Sequence, residues 1–260
     1  MNQPDSSPPI DDPNNASPNT DPASAESLDA DAIAAAEQAS VEAAASAAAL
    51  SAEAEAEIMA TSAAVILAAG EGSRFAGDNH KLLTKLDKKP IVTWAVEHAL
   101  AAGFAETIVV SGCVDLSGVV PEEATLLMNH DWADGQARSL QVALTYATMA
   151  GHRAVVVGLG DQPLAPPEAW RAVALTPSPI ATAEFAGVQT PPVRLDGDVW
   201  GLVPIEGDEG AKAIIRRRPE LVVAVPCEGY AIDVDTLTDL QKVRSLVKVD
   251  QASKEGRTWT

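Results

Sequence analysis

The chain has 260 residues, a net charge of -19 and 47% hydrophobic residues, room for one sizeable α/β domain and a remainder. Its two cysteines, Cys113 and Cys227, lack the spacing of a disulfide framework or a metal centre, and no apolar run is long enough to span a bilayer. With no basic segment leading into an apolar stretch at the start, and no basic surface to grip nucleic acid, the expectation is a cytoplasmic protein.

Residues 1–60 hold twelve of the 37 acids and no lysine or arginine; the first basic residue is Arg74. Residues 1–27 are rich in Pro, Asp, Asn and Ser and carry too little apolar surface to order themselves. Residues 28–60 turn Ala-rich with regular Glu, which favours helix but offers few large side chains to dock. The expected organisation is a disordered acidic Ala/Pro-rich tail over 1–60, a folded domain over 61–249 and a flexible C-terminal tail over 250–260.

From Ala63 the texture changes to alternating strands and helices, the pattern of a mostly parallel sheet covered on both faces. Ala63–Ala68 reads as a buried parallel strand that runs into a glycine-rich turn with Gly70, Gly72 and Gly77. A helix follows Lys89-Pro90, with Ile91, Trp94, Ala95 and Ala99 at helical spacing and Gly103 closing it. Thr107–Val110 and Thr125–Met128 read as strands, and a helix begins near Gly135. Ala154–Gly158 is another apolar strand, ending in Gly160-Asp161-Gln162-Pro163, and Pro166 and Pro167 start the next helix. A strand near Ile180–Ala183 leads to a proline-bearing loop (QTPPVRL). A helix stopped by Pro219 follows, then a strand at Leu221–Val225. Thr236-x-x-Asp239 is a capping-box-like opening to the last helix, Leu237–Val247.

The strand-to-glycine turn places backbone N–H groups at the carboxyl edge of an open sheet, where such folds bind ligands. Glycine lets the backbone approach a phosphate closely, and Arg74 and Lys81 supply fixed positive charge. A dinucleotide fingerprint is excluded: Phe75 stands where its third glycine belongs, and the second strand ends in Ser111-Gly112 instead of an acid. A P-loop is excluded because no Gly-Lys-Ser/Thr follows. Asp161, directly after an apolar strand, lies in reach of the same crevice and suits Mg²⁺, which needs few protein carboxylates beside substrate phosphates. Asp233 and Asp235 either complete that metal site or serve the start of the last helix. Gln136 and Ser139 open a helix near the crevice and either touch substrate or begin the helix. The histidines His80, His98, His130 and His152 are scattered and form no catalytic pattern.

Taken together, LAAGEGSRFAGDNHKLL, the Lys89-Pro90 step, ADGQARSLQVAL, GLGDQP, GDEGAKAI and DVDTLTDL resemble the MobA-like nucleotidyltransferases, specifically the molybdenum cofactor cytidylyltransferase branch. The resemblance implies a Rossmann-like three-layer (αβα) α/β fold of the nucleotide-diphospho-sugar transferase type. It implies that Leu67, Ala68, Ala69, Gly70 and Gly72 hold the nucleotide, with Arg74 and Lys81 on the phosphates. It further implies Asp161 as the Mg²⁺ ligand, with Asp233 and Asp235 in the matching D-x-D-T segment. The L-A-A-G form implies CTP over GTP, and the resemblance to this branch implies a phosphorylated acceptor of the molybdopterin type and a molybdoenzyme as partner. Two departures fall near the substrates: two extra residues between Arg74 and Lys81, and QTPP in place of a G-x-P loop. The reaction expected is CMP transfer from CTP with release of pyrophosphate. A sugar- or polyol-phosphate nucleotidyltransferase, or a non-catalytic nucleotide-binding protein, are the alternatives.

Overall fold

The computed structural model describes residues 38, 49–77 and 79–256, with side chains up to residue 249. The chain divides into residues 1–50 and a compact unit, Ser51–Thr260, which carries every strand among the described residues. In chain order its elements are a helix over 49–60 (α1), β1 (Ser62–Ala68), a hairpin of β2 (Lys85–Leu86) and β3 (Lys89–Pro90), and α2 (Ile91–Ala101). Then come β4 (Glu106–Ser111), β5 (Thr125–Met128), α3 (Gln136–Ala150), β6 (Ala154–Leu159), α4 (Pro167–Leu175), β7 (Ile180–Phe185) and β8 (Val188–Asp196). The chain continues through α5 (Ala211–Arg217), β9 (Val222–Pro226) and α6 (Leu237–Gly256).

The sheet has seven strands in the order β5-β4-β1-β6-β8-β7-β9. Its neighbours are parallel except for β8, which runs antiparallel to both β6 and β7. β1 is central and buried at all seven positions, as a strand covered on both faces must be. Period-two alternation splits its side chains between two cores. Ala64, Ile66 and Ala68 pack with Val92 and Val96 of α2 and Trp170 and Val173 of α4. Ala63, Val65 and Leu67 pack with Leu140, Ala143 and Leu144 of α3 and Ile214 of α5. The result is the expected three-layer α/β fold. A third, smaller core joins Leu240, Val243 and Val247 of α6 to Leu86 and Ile91, so the last helix clamps the β2–β3 hairpin.

Three expectations need correction. The QTPPVRL stretch is not a loop but the body of β8. Thr182 pairs with Val193 and Ala183 with Thr190, so Pro191 and Pro192 fall in a register jump where the ladder asks no N–H of them. The compact unit begins before residue 61: Met59, at the end of α1, is only 5% exposed and joins the core under α2 and α4. One well-placed thioether docks a turn that the alanine-rich composition hides. The last helix continues past Val247 to Gly256, so helical backbone occupies most of the segment expected to be a flexible tail. Residues 1–37, 39–48 and 257–260, with the tails expected there, lie outside the described residues. Among the described residues no helix is long and apolar enough to cross a membrane.

Candidate active site

The carboxyl ends of β1, β4 and β6 meet at one edge. Beyond the ladder, the Gly160 N–H donates to the Leu67 carbonyl (2.9 Å) and the Cys113 N–H to the Ala69 carbonyl (3.1 Å). Gly112 is required here, because a Cβ on it would stand 2.6 Å from Trp132 Cβ and 2.9 Å from the Ala69 carbonyl oxygen. The close approach explains why a small residue, and not an acid, ends this strand.

Two cavities open on this edge and share Leu67, Gly70 and Gln136 as a common wall. The first, of about 280 Å³, is lined by Ala69, Trp132, Gly135, Ser139 and Asp208 besides the shared residues. The second, of about 230 Å³, adds Ala68, Gly72, Arg74, Lys81, Asp161 and Asp235. The first wall is mixed apolar and polar; the second carries the charge. All seven residues expected to hold the nucleotide therefore line one continuous crevice, and Gln136 and Ser139 line it with them. Ser139 is buried and its Oγ accepts from Asn129 Nδ2 (2.9 Å), which fixes the start of α3 against β5. Gly135, at φ +101°, brings the backbone so close to Gly207 and Asp208 that a side chain there would stand 2.6 Å from either.

In the charged half, Lys81 is the hub. Its Nζ lies 2.5 Å from Asp161 Oδ2 and 2.9 Å from Asp235 Oδ1, and Arg74 reaches the other oxygen of Asp235 at 3.0 Å. Lys81 is 11% exposed and Arg74 77%, so the first ion pairs are shielded and the last is strongly screened by water. Burial alone depresses the Lys81 ammonium pKa, but the Asp161 charge and hydrogen bond, joined by Asp235, outweigh it and raise the pKa above its usual value. The cation is thus permanently charged and pre-positioned at the mouth of the crevice.

The glycine turn is fastened by a residue that the sequence patterns passed over. His80 Nε2 meets the Gly70 carbonyl at 3.1 Å, while its Nδ1 accepts from the Leu82 N–H at 3.3 Å. An accepting Nδ1 must be bare, so the ring proton sits on Nε2 and donates to Gly70. His80 therefore ties the turn to the short helical turn that carries Lys81. The available signal was its position directly before Lys81.

Gln162 is a second residue without an assigned role. It is 2% exposed, and its Nε2 donates to Asp233 Oδ1 (2.6 Å) and Thr190 Oγ1 (3.1 Å). The Val234 N–H donates to the Asp161 carbonyl (3.0 Å), so the Asp233–Asp235 segment is stitched directly onto the GDQP turn. Asp233 keeps an exposed edge, yet crowding around its carboxyl raises its pKa, and the neighbouring Asp161 charge adds to the rise.

Asp161 Oδ1 is buried and has no hydrogen-bond partner among the described residues. A bare, buried carboxylate oxygen beside a phosphate-sized cavity fits a hard cation such as Mg²⁺. Among the described residues no three His, Cys, Asp or Glu side chains stand together as a cage for an ion. Both oxygens of Asp235 are engaged by Lys81 and Arg74, and Asp233 Oδ1 by Gln162. Asp161 Oδ1 is the carboxylate oxygen that this geometry leaves open to such an ion.

The chain is 30% identical over 196 residues to the nicotine blue oxidoreductase of Paenarthrobacter nicotinovorans, covering 69% of this chain and 94% of that protein. In fold it is similar to the manganese complex of Rv0371C from Mycobacterium tuberculosis, at 23% identity and a TM-score of 0.60 over 71% of this chain and 98% of that one. It is also similar in fold to the inositol-1-phosphate CTP transferase of T. maritima, at 16% identity and a TM-score of 0.56 over 72% and 94% of the two chains. The model of the MobA-like NTP transferase domain matches residues 64–222, which span the glycine turn, Lys81, Asp161 and the start of α5. With that match over most of the sheet, the chain belongs to the MobA-like NTP transferase family.

Proposed function

We propose that this protein is a divalent-metal-dependent cytidylyltransferase that moves CMP from CTP to the terminal phosphate of a molybdopterin-type acceptor. The observation that carries the reading is the bare, buried Asp161 Oδ1 beside Lys81 in a crevice whose other half has nucleotide-sized space. An oxygen of the acceptor phosphate forms a bond to the α-phosphorus as the bond from that phosphorus to the bridging oxygen breaks. The electron pair leaves on pyrophosphate. Such a transfer asks little covalent chemistry of the protein; positioning and charge neutralisation carry it.

Each residue has a role in this reading. Leu67, Ala69, Gly70 and Ser139 frame the base and ribose. The backbone from Ala68 to Gly72 lies along the phosphates, and Gln136 spans both halves. Arg74 and Lys81 release their carboxylate partners in part as the triphosphate enters, and stabilise the charge that grows on the leaving pyrophosphate. Asp161 would hold the cation through Oδ1, with Asp233 and Asp235 next to it, and Mg²⁺, when bound, would supply Lewis-acid neutralisation of phosphate charge. The preference for CTP rests on the L-A-A-G form of the turn and on the likeness to a CTP transferase. The molybdopterin-type acceptor, and a molybdoenzyme that receives the product, rest on the ordered motif set.

One relative's name favours a second reading, an oxidoreductase on the same fold. The crevice argues against it. The strand end at Ser111-Gly112 offers no acid for a cofactor ribose, and a knot of two cations and two carboxylates serves a triphosphate and metal better than a hydride donor. The deciding experiment measures pyrophosphate release from CTP, GTP, ATP and UTP, with and without Mg²⁺ or Mn²⁺ and with and without a molybdopterin-type acceptor. A parallel arm follows NADH and NADPH oxidation with quinoid dye acceptors. Metal-dependent pyrophosphate release with CTP is the expected outcome. Release without any divalent ion, or nicotinamide oxidation in its place, overturns the reading.

A further inference from the structure

The two halves of the crevice differ in the sign of the charge they offer. The charged half presents Arg74 and Lys81 to a ligand. The wall of the other half has two acids, Glu71 and Asp208, and among the described residues no lysine or arginine. A triphosphate is therefore drawn to the charged half and repelled from the other, which is left to the base. Trp132, Leu67, Ala69 and Ala133 give that half the apolar surface that a flat ring needs.

The two acids are not equivalent. Glu71 stands between Gly70 and Gly72, which both line the charged half, and so lies on the side of the sugar and phosphates. Asp208 comes from a different element, the loop before α5, and lines only the other half. That loop is fastened to the start of α3: the Ala137 N–H donates to the Gly207 carbonyl (2.9 Å) and the Gly207 N–H to the Asp134 carbonyl (3.2 Å). A Cβ on Gly210 would stand 2.8 Å from Gln136 Oε1, so the loop also packs against the residue that spans both halves. Asp208 Oδ1 itself lies over Gly135, 2.6 Å from where a Cβ would be. The backbone thus holds this carboxylate at the cavity wall, while among the described residues no hydrogen bond or ion pair engages it.

A carboxylate is an acceptor only. Facing a base, it meets an exocyclic amino group with a charge-assisted hydrogen bond and a carbonyl oxygen with repulsion. Cytosine and uracil are nearly the same size and differ in this group, so such a wall separates them by charge and not by shape.

We infer that Asp208 reads the base: its carboxylate accepts from the exocyclic amino group of cytosine and refuses uracil, which presents a carbonyl oxygen there. The inference deepens the nucleotidyl-transfer reading and rests on it. Asp208 determines specificity and takes no part in the bond exchange at phosphorus.

Binding to the full-length protein tests this without turnover. By equilibrium dialysis with Mg²⁺ and no acceptor, the wild type is expected to hold CTP about ten-fold or more tighter than UTP. Asp208→Asn, whose amide donates as well as accepts, is expected to bring the two within about two-fold or to favour UTP. Asp208→Ala is expected to weaken CTP about ten-fold and leave UTP unchanged. Inorganic tripolyphosphate, which needs only the charged half, should bind wild type and both variants within about two-fold, and so reports that this half is intact. A wild type that holds CTP no tighter than UTP overturns the inference, as does an equal loss of both nucleotides in the variants. A changed preference for CTP over dCTP, with CTP against UTP unaltered, assigns the carboxylate to the ribose and overturns it as well. A wild-type protein that binds CTP but releases no pyrophosphate with any nucleotide refutes the parent reading instead, and the CTP–UTP ratio still decides the role of Asp208.

Discussion

The two ends of the same central strands carry two polar clusters built on opposite rules. At the amino end, Glu106 of β4 accepts from Thr125 Oγ1 (2.5 Å) and Tyr146 Oη (2.8 Å) through one oxygen, and from His152 Nε2 (2.9 Å) through the other. Burial alone raises its carboxyl pKa, but these three hydrogen bonds outweigh that and hold it below the usual range. At the carboxyl end, Asp161 has one oxygen paired with Lys81 and the other buried and bare. A fully satisfied cluster spends its hydrogen bonds on joining β4, β5 and α3. A cluster with an orphaned acceptor keeps bonding capacity in reserve for something that arrives later. On the proposed function, similar side chains serve the fold at one end and a ligand at the other.

The sharpest way to separate the two ends is Asp161→Ala. CTP-dependent pyrophosphate release is expected to fall by about three orders of magnitude, because the bare buried carboxylate oxygen beside Lys81 is lost. The melting temperature should move by no more than a few degrees, about 2–4 °C, since Lys81 keeps Asp235. A large loss of stability without loss of turnover would break the comparison. Lys81→Ala comes next, with a fall of about two orders of magnitude in kcat from the removal of one charge-stabilising donor. The check is kcat measured at saturating CTP.

The amino end should respond in the opposite sense. Glu106→Gln is expected to cost about 1–3 kcal/mol in urea unfolding, since it leaves partners of a buried cluster badly matched, while turnover per folded molecule is unchanged. It also carries a pH signature. A carboxyl whose pKa is lowered on folding contributes stability that is present above its unfolded value, 4.5, and is lost as the pH falls through the folded value. Wild-type stability should therefore decline on acidification below that point, and the Glu106→Gln protein should lack this part of the decline. Identical acid limbs in the two proteins would remove Glu106 from the account. The smallest effect is reserved for Thr125→Val, about 0.5–1.5 kcal/mol from a single hydrogen bond, again with unchanged turnover.

Much of the charged end was legible from the chain alone, because its signals are local. An apolar run flanked by Gly70 and Gly72, an aspartate directly after another apolar run, and Thr236 three residues before Asp239 each announce their geometry within a few residues. The last is borne out as a reciprocal cap, with the Thr236 N–H donating to Asp239 Oδ2 (2.9 Å) and the Asp239 N–H to Thr236 Oγ1 (3.2 Å). What escaped depends on distant partners. β8 is a strand because β6 and β7 flank it, and its two prolines are tolerated only through a register jump against β7. His80 and Gln162 matter through the carbonyl of Gly70 and the carboxylate of Asp233, neither of which a linear pattern brings near them. Met59 docks by meeting a surface made by α2 and α4, which its alanine-rich surroundings do not foretell.

The Lys81 hub joins residues 80 and 154 positions apart along the chain, to Asp161 and Asp235 respectively. The Lys81–Asp235 contact closes a longer loop than the β1–β6 pairing of Ser62 with Ala154 and carries the larger entropic cost. A chain emerging from the ribosome carries its glycine turn early but has the complete charge constellation only once Asp235 has been made and its segment stitched to the GDQP turn. On the proposed function, competence to hold a triphosphate is therefore a property of the chain with Asp235 in place.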